Sequence, residues 1–315
     1  MQTTFWPILL GVFLAGYLAL EGADFGAAML LPVFGRHDQH SRDGVIRAIA
    51  PLFLGNEVWL VAAIGVVQGA FPGLDGTVLS RLYPVFVVLL VAWLTRDAGL
   101  WFRSHGGVEW RWPWDCTIAV ASVLLAAGWG VVLANLALGT VTAANPALTG
   151  LAPSDQGFGL VPMLCGLLLA GFCALRGSLF LNRRLSEPAA ERANLIARRL
   201  SLPVAGLTII TGAVLAFTDP PGRHWPLWLL GSLLVMAALA TRSRPAGLPL
   251  TALAIAASVP LTALAGLPYL PTANAATLAA LTPLVIAVLP IIVACQVGLW
   301  WLCRGPVESR SWSYF

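Results

Sequence analysis

The chain has 315 residues, of which 58% are hydrophobic and only 10% are charged, with a net charge of +4. Soluble domains carry about 25% charged residues, so this composition excludes an ordinary soluble protein and predicts an all-α polytopic membrane protein. All 18 basic residues are arginines. They fall where membrane topology accounts for them, so the charge indicates no nucleic-acid partner.

Nine hydrophobic segments are predicted as transmembrane helices packed as helical bundles. In chain order they are 5–31, 49–70, 79–100, 116–138, 157–180, 202–217, 225–240, 248–264 and 275–302. The last four are the least regular, because prolines interrupt them and some are short. Residues 1–315 are predicted to form a single integral membrane domain. Its parts are five spans in 1–181, a basic cytoplasmic loop at 182–201 that is helical in part, and four spans with a tail in 202–315.

The arginines predict the orientation in the membrane. Sixteen of the 18 lie in one set of alternating loops, whereas the opposite set holds only Arg81 and Arg223. Because loops rich in arginine stay in the cytoplasm, the N-terminus is expected outside and the C-terminus in the cytoplasm. An odd number of spans, such as nine, is required for this arrangement.

Three carboxyl side chains lie within the first two hydrophobic segments. Glu21 and Asp24 are three residues apart and therefore on one helix face, and Glu57 follows Asn56 in the second segment. An ionised carboxylate at the bilayer centre costs about 3 kcal/mol, so these groups are expected to face other helices or a wet cavity. Two interpretations stay open: the acids hold helices together, or they conduct protons. Glu57, the deeper acid, is the stronger candidate for conduction.

No metal site is predicted. The four histidines, His37, His40, His105 and His224, fall in loops or at helix ends rather than deep in a span. His37 and His40 with Asp38 are interpreted as part of a solvated loop. The five cysteines show no CxxC spacing and are expected to be free thiols.

Several motifs of the first 180 residues carry a resemblance to a known family. They are EGADFG at 21–26, MLLP at 29–32, IAP at 49–51, GNEVWLV at 55–61, RDAGLWFR at 96–103, WPWD at 112–115 and GFGL at 157–160. In order and spacing the sequence resembles subunit II of the cytochrome bd-type quinol oxidases. The GNEVWLV core is the most specific of these motifs, and beyond residue 202 the resemblance is thin.

The resemblance implies a heterodimeric membrane enzyme that oxidises quinol, reduces dioxygen to water and builds a proton gradient. Haems b and d are then expected in the partner, subunit I, and none is expected to be ligated by this chain. The implied partners are the haem-ligating subunit I, the lipid bilayer and a quinone, with a small accessory subunit left open. The implied location is the bacterial or archaeal cell membrane.

Site residues can be assigned only as candidates. The candidate proton-path residues are Glu57, Glu21, Asp24 and Asn56. The candidates for contact with a cofactor or a partner at an interface are Trp59, Trp101, Arg96 and Arg103. The alternative from a different class is a proton- or cation-coupled secondary transporter or channel, although no inverted repeat is evident.

One departure from the family pattern affects the proton route. The family usually has Trp-Asp before Gly-Asn, whereas this chain has Phe53 and Leu54. A leucine side chain cannot relay a proton. The route through this subunit is therefore either lost, with protons entering through the partner, or moved to Glu57 with Asn56 or to the Glu21 and Asp24 pair.

Overall fold

The computed structural model describes residues 2–139, 157–218, 225–240, 247–266 and 272–307. Over these residues the chain is helical apart from short connections. A 3-10 turn at Leu31–Phe34 follows the first helix. The helices are α1 Gln2–Met29, α2 Gln39–Ala70, α3 Leu74–Arg81, α4 Tyr83–His105, α5 Val108–Ala137, α6 Leu160–Arg184, α7 Ala189–Thr218, α8 Trp225–Ala240, α9 Gly247–Gly266 and α10 Ala275–Leu302.

The all-α membrane fold is confirmed, with a refinement of the span count. Eight helices in the described ranges are long and apolar enough to cross a membrane, whereas nine spans were predicted. The difference is α8, the predicted seventh span. Its 16 described residues reach about 24 Å, less than the roughly 30 Å of a bilayer core, and residues 219–224 and 241–246 on either side lie outside the described ranges. The orientation of the two termini depends on this helix and stays a prediction.

Several helices begin well before their apolar segments. α2 begins at Gln39, ten residues before the predicted start of its span, and Asp38 caps it by accepting a hydrogen bond from the Ser41 backbone N–H at 3.2 Å. α7 likewise begins at Ala189, so most of the segment 182–201 is helical. The apolar pattern marks only the part of a helix that faces lipid or core, and polar turns extend it on either side.

α1 lies at the centre of the bundle, against α2, α5, α6 and α9. Gly26 of α1 and Gly177 of α6 allow their two backbones to touch. A Cβ atom on Gly26 would collide with the carbonyl of Cys173, and one on Gly177 would collide with the Gly26–Ala27 backbone. Small residues permit this approach, which is how membrane helices gain packing contact without a hydrophobic driving force.

The bundle has two ends with separate apolar clusters. One joins the start of α1, the end of α2 and the start of α10 around Trp6, Phe71 and Leu278. The other joins the end of α1, the start of α2, the end of α6 and the start of α7 around Ile49 and Leu181. We call this second end the arginine-rich end. It holds Arg36, Arg42, Arg47, Arg103, Arg111, Arg183, Arg184 and Arg192.

Candidate functional site: a buried ion cluster between α1, α2 and α4

Arg96 of α4 is the centre of a buried ion cluster. Its side chain is 1% exposed, and its Nη1 lies 2.6 Å from Glu21 Oε1 and 3.7 Å from Glu57 Oε1. The guanidinium also lies over two aromatic rings, with 5.0 Å to the centroid of Phe25 and 5.7 Å to that of Phe53. Such cation–π contacts stabilise a desolvated cation. One arginine thus joins carboxyl groups of α1 and α2.

A chain of amide side chains extends the cluster to α10. Asn56 Nδ2 donates to Asp24 Oδ2 at 2.7 Å, and Gln296 Nε2 donates to Asn56 Oδ1 at 2.8 Å. Trp59 Nε1 in turn donates to Gln296 Oε1 at 3.2 Å. On the other side, Trp93 Nε1 donates to Glu57 Oε1 at 2.8 Å. The network therefore joins α1, α2, α4 and α10.

The cluster holds more carboxyl groups than cations. Arg176 of α6, whose Nη1 donates to the Leu248 carbonyl at 2.8 Å, is the second guanidinium acting on Asp24. Complete ionisation would leave a net charge of −2, from four carboxyl groups and two guanidinium groups: Glu21, Asp24, Glu57, Asp97, Arg96 and Arg176. An uncompensated charge in a low-dielectric interior is very costly. The cluster can lower that cost by holding protons.

Three carboxyl oxygens of the cluster have no hydrogen-bond donor in the part of the chain that the structure describes. They are Glu21 Oε2, Asp24 Oδ1 and Asp97 Oδ1. A protonated carboxyl or a bound water would satisfy such an oxygen. Unfilled acceptor positions of this kind are where a proton or a water molecule can be exchanged.

A second ion cluster lies at the arginine-rich end. Asp115 of α5 binds Arg42 of α2 at 2.9 Å and Arg103 of α4 at 2.5 Å. Asp43 binds Arg103 at 2.8 Å and Arg111 at 3.3 Å. Here cations outnumber carboxylates, and each carboxylate is paired twice. The arrangement suits a fixed tie between α2, α4 and α5 better than a site that exchanges protons.

The structure brings the four candidate proton-path residues, Glu57, Glu21, Asp24 and Asn56, into one network. The interface candidates fall in different places. Trp59 is part of the amide chain and Trp101 is 48% exposed on the surface. Arg96 and Arg103 are buried and paired with carboxylates of this chain.

Three members of the network were not predicted from the sequence: Trp93, Arg176 and Gln296. Only Gln296 gave a signal, as a lone amide in an apolar helix.

None of the described histidines is placed as an axial haem ligand, and His224 lies outside the described residues. His37, His40 and His105 are all exposed, at or beside helix ends, whereas an axial histidine must reach a haem enclosed by protein. Within the described ranges there is also no group of three or more His, Cys, Asp or Glu that could hold a metal ion. No step is therefore assigned to a haem or metal on this chain.

The fold and the buried ion cluster define a polytopic helical membrane protein with ionisable groups inside its bundle. The model of the family "Cytochrome bd terminal oxidase subunit II" matches residues 1–303. The chain belongs to this family.

Individual relatives agree with the family assignment. The chain is 30% identical over 213 residues to "Cytochrome bd ubiquinol oxidase subunit 2" of Bacillus subtilis (strain 168), covering 67% of this chain and 60% of that protein. It is 34% identical over 135 residues to "Cytochrome bd-I ubiquinol oxidase subunit 2" of Escherichia coli (strain K12), covering 42% and 35%. The matches thus span less than two thirds of these relatives.

A solved structure has the same fold. A chain of the bd oxidase from Geobacillus thermodenitrificans superposes with a TM-score of 0.71, covering 96% of this chain and 98% of that chain, at 20% identity. At that identity the likeness establishes the fold. These similarities give the transporter alternative no support.

Proposed function

We propose that this chain is the non-haem-ligating subunit II of a cytochrome bd-type quinol oxidase. The complex would oxidise quinol, reduce dioxygen to water and contribute to the proton gradient. Haems b and d would be held by subunit I. This chain would stabilise subunit I and supply protons in a bacterial or archaeal cell membrane, with its N-terminus outside. The observation that carries the proton-supplying role is the Arg96 cluster with its excess of carboxyl groups.

Of the three carboxyl groups on α1 and α2, that of Glu57 is the best placed to release a proton from the cluster. Its side chain is 11% exposed, whereas that of Glu21 is fully buried. Leu54, where the family usually has an aspartate, lies three residues earlier on α2 and is 56% exposed. Residues at this spacing share a helix face. Glu57 therefore lies on the same face of α2 as position 54, where the family usually has an aspartate. Its carboxyl group can take over proton transfer from that aspartate, one turn further along the helix.

The surface around Glu57 fits a protein partner. Leu54, Val58 and Val61 of α2 are 43–61% exposed beside it, and only 6% of the most apolar stretch of α10 is buried within this chain. A carboxyl group facing lipid alone at this depth is unfavourable. We assign the exposed faces of α2 and α10 to the contact with subunit I.

The proton role predicts the behaviour of Glu57→Gln. Glutamine keeps an acceptor for the Trp93 indole but cannot release a proton, so quinol-dependent oxygen consumption should fall at least about tenfold. Haem content and yield of the complex should stay normal. The matched control is Glu109→Gln, which removes an exposed carboxyl group at the start of α5. It should leave oxygen consumption unchanged. Unchanged oxygen consumption in Glu57→Gln would exclude the role.

The docking assignment predicts the reactivity of Cys295, an exposed thiol on α10. A membrane-permeant maleimide should modify it at least about tenfold more slowly in the complex than in the chain separated from its partner, because a protein interface excludes the reagent. Mass spectrometry identifies the modified residue. An Ile209→Cys variant on α7, at a position that is 62% exposed, should react at the same rate in both states. Equal rates for Cys295 in both states would contradict the assignment.

A further inference from the structure

A small cleft opens at the arginine-rich end, away from the Arg96 cluster. It lies between the start of α2, the α6–α7 connection and the chain after α10, and its space of about 260 Å³ includes open solvent at the mouth. His40, Ser41 and Arg47 line it from α2, and Ser186 and Val307 line the opposite side. The lining residues include no carboxylate. The cleft is therefore basic and polar on one wall.

Arg47 has no hydrogen-bond acceptor in the part of the chain that the structure describes. Arg42, Arg111 and Arg184 bind Asp115, Asp43 and the Gly305 carbonyl respectively. For Arg47 the structure gives no such bond within the described ranges. Its Nε is buried without a hydrogen-bond partner, as are the Nε atoms of Arg42, Arg111 and Arg184, so the difference lies in the missing bond to its Nη atoms. A buried donor left unpaired is unfavourable, because it has lost its hydrogen bonds to water. An anionic acceptor placed in the cleft would remove that cost.

Gly44 keeps the cleft open beside Arg47. His40, Gly44 and Arg47 are spaced by four and three residues and therefore share one face of α2. A Cβ atom on Gly44 would lie 3.0 Å from Leu185 Cδ2 on the opposite wall. Any side chain at this position would thus narrow the space between α2 and the α6–α7 connection.

Two carboxylates in the first turns of α2 are already engaged. Asp38 accepts hydrogen bonds from Ser41 Oγ at 2.8 Å and from Arg192 at 2.7 Å. Partial burial alone would raise the pKa of the Asp38 carboxyl, but the Ser41 hydrogen bonds and the Arg192 charge lower it below its ordinary value. Asp43 is held by Arg103 and Arg111. Neither of these two carboxylates is free to neutralise Arg47, and the described residues that line the cleft carry no negative charge of their own.

We propose that this cleft binds a phosphate group, carried by an anionic lipid or by a soluble phosphate. α2 has 32 residues, about 48 Å, against roughly 30 Å for the bilayer core. Its first turns therefore extend to headgroup depth, where phosphate is the prevailing anion. A guanidinium is well suited to a phosphate because its N–H groups match the spacing of the phosphate oxygens. The site is separate from the proposed oxidase chemistry.

Native mass spectrometry of the purified, delipidated protein tests the proposal with three probes. They are dihexanoyl phosphatidylglycerol, inorganic phosphate and dihexanoyl phosphatidylcholine. Wild-type protein should bind one phosphatidylglycerol in preference to phosphatidylcholine, and Arg47→Gln should weaken this binding at least about tenfold. Arg36→Gln, which removes the same charge from an exposed position at the same end, should have no effect. Gly44→Leu should also weaken binding while leaving the charge unchanged.

The outcomes separate the two sources of phosphate. Binding of phosphatidylglycerol alone supports a lipid site, and binding of inorganic phosphate that is also lost in Arg47→Gln supports a soluble ligand. The proposal is overturned if wild type binds neither of these two probes, or if Arg47→Gln and Arg36→Gln bind them as tightly as wild type. A failure of Gly44→Leu to fold leaves the comparison of the two arginine variants decisive.

Discussion

Arg96→Gln is expected to cause the largest loss of stability of any single charge removal in this chain. Arg96 is the shared partner of Glu21 and Glu57 and acts electrostatically on Asp24 and Asp97. Removing one partner of a buried ion pair costs about 3–5 kcal/mol, because it leaves an uncompensated charge behind. The yield of folded protein in mild detergent should collapse, and thermal unfolding monitored by circular dichroism should shift to lower temperature.

Two further variants separate the buried charge from a general effect of losing an arginine. Arg81→Gln, at an exposed position on α3, should unfold like wild type. The double variant Arg96→Gln, Glu21→Gln should recover part of the lost stability, because it removes the orphaned carboxyl together with its partner. An Arg96→Gln protein as stable as wild type would show that the cluster does not hold α1, α2 and α4 together.

Gly26→Ala is expected to be the second most damaging substitution, although it adds only one methyl group. The new Cβ atom would overlap the Cys173 carbonyl of α6, and backbone cannot move aside as a flexible side chain can. α1 and α6 would have to separate, and overpacking of this kind costs about 1–3 kcal/mol or more. The thermal unfolding temperature of the purified chain should fall.

Gly206→Ala on α7 is the matched control for this prediction. A Cβ atom on Gly206 would have nothing within 4 Å, and alanine favours a helix over glycine by up to about 1 kcal/mol. Gly206→Ala should therefore be as stable as wild type or slightly more stable. If Gly26→Ala were equally harmless, the close approach of α1 and α6 at Gly177 would be wrong.

Much of the buried site could be predicted from the sequence because its chemistry is local. Glu21 and Asp24 lie within one apolar segment, and Asn56 and Glu57 lie within the next. Hydropathy alone therefore indicates that these polar groups are buried at a cost in free energy. Their convergence follows from the pairing of α1 with α2, which are consecutive helices joined by a short connection. Neighbouring antiparallel helices are the commonest arrangement in bundles.

The positions of Arg96 and Gln296 in the site could not be predicted, because they depend on contacts between helices that are distant in the sequence. Arg96 lies near one end of its apolar run, where an arginine ordinarily reaches the headgroups. In the structure its helix continues to His105, which places Arg96 inside the bundle opposite Glu21. Gln296 is 240 residues from Asn56 along the chain, and no local pattern specifies that α10 packs on α2.

Helix bounds and the number of spans were the least predictable features of the fold. Hydropathy locates the apolar centre of a helix, but α2 and α7 begin with polar turns that their capping and packing stabilise. The residues of α8 are almost all apolar, and only 16 of them lie in the described ranges.

Purification of the tagged chain from its native membrane in mild detergent, followed by a reduced-minus-oxidised absorption spectrum, tests the proposed function most directly. The account predicts that a second multi-span subunit co-purifies and that the preparation shows b- and d-type haem bands. A colourless chain that arrives alone from membranes containing active terminal oxidase would contradict it.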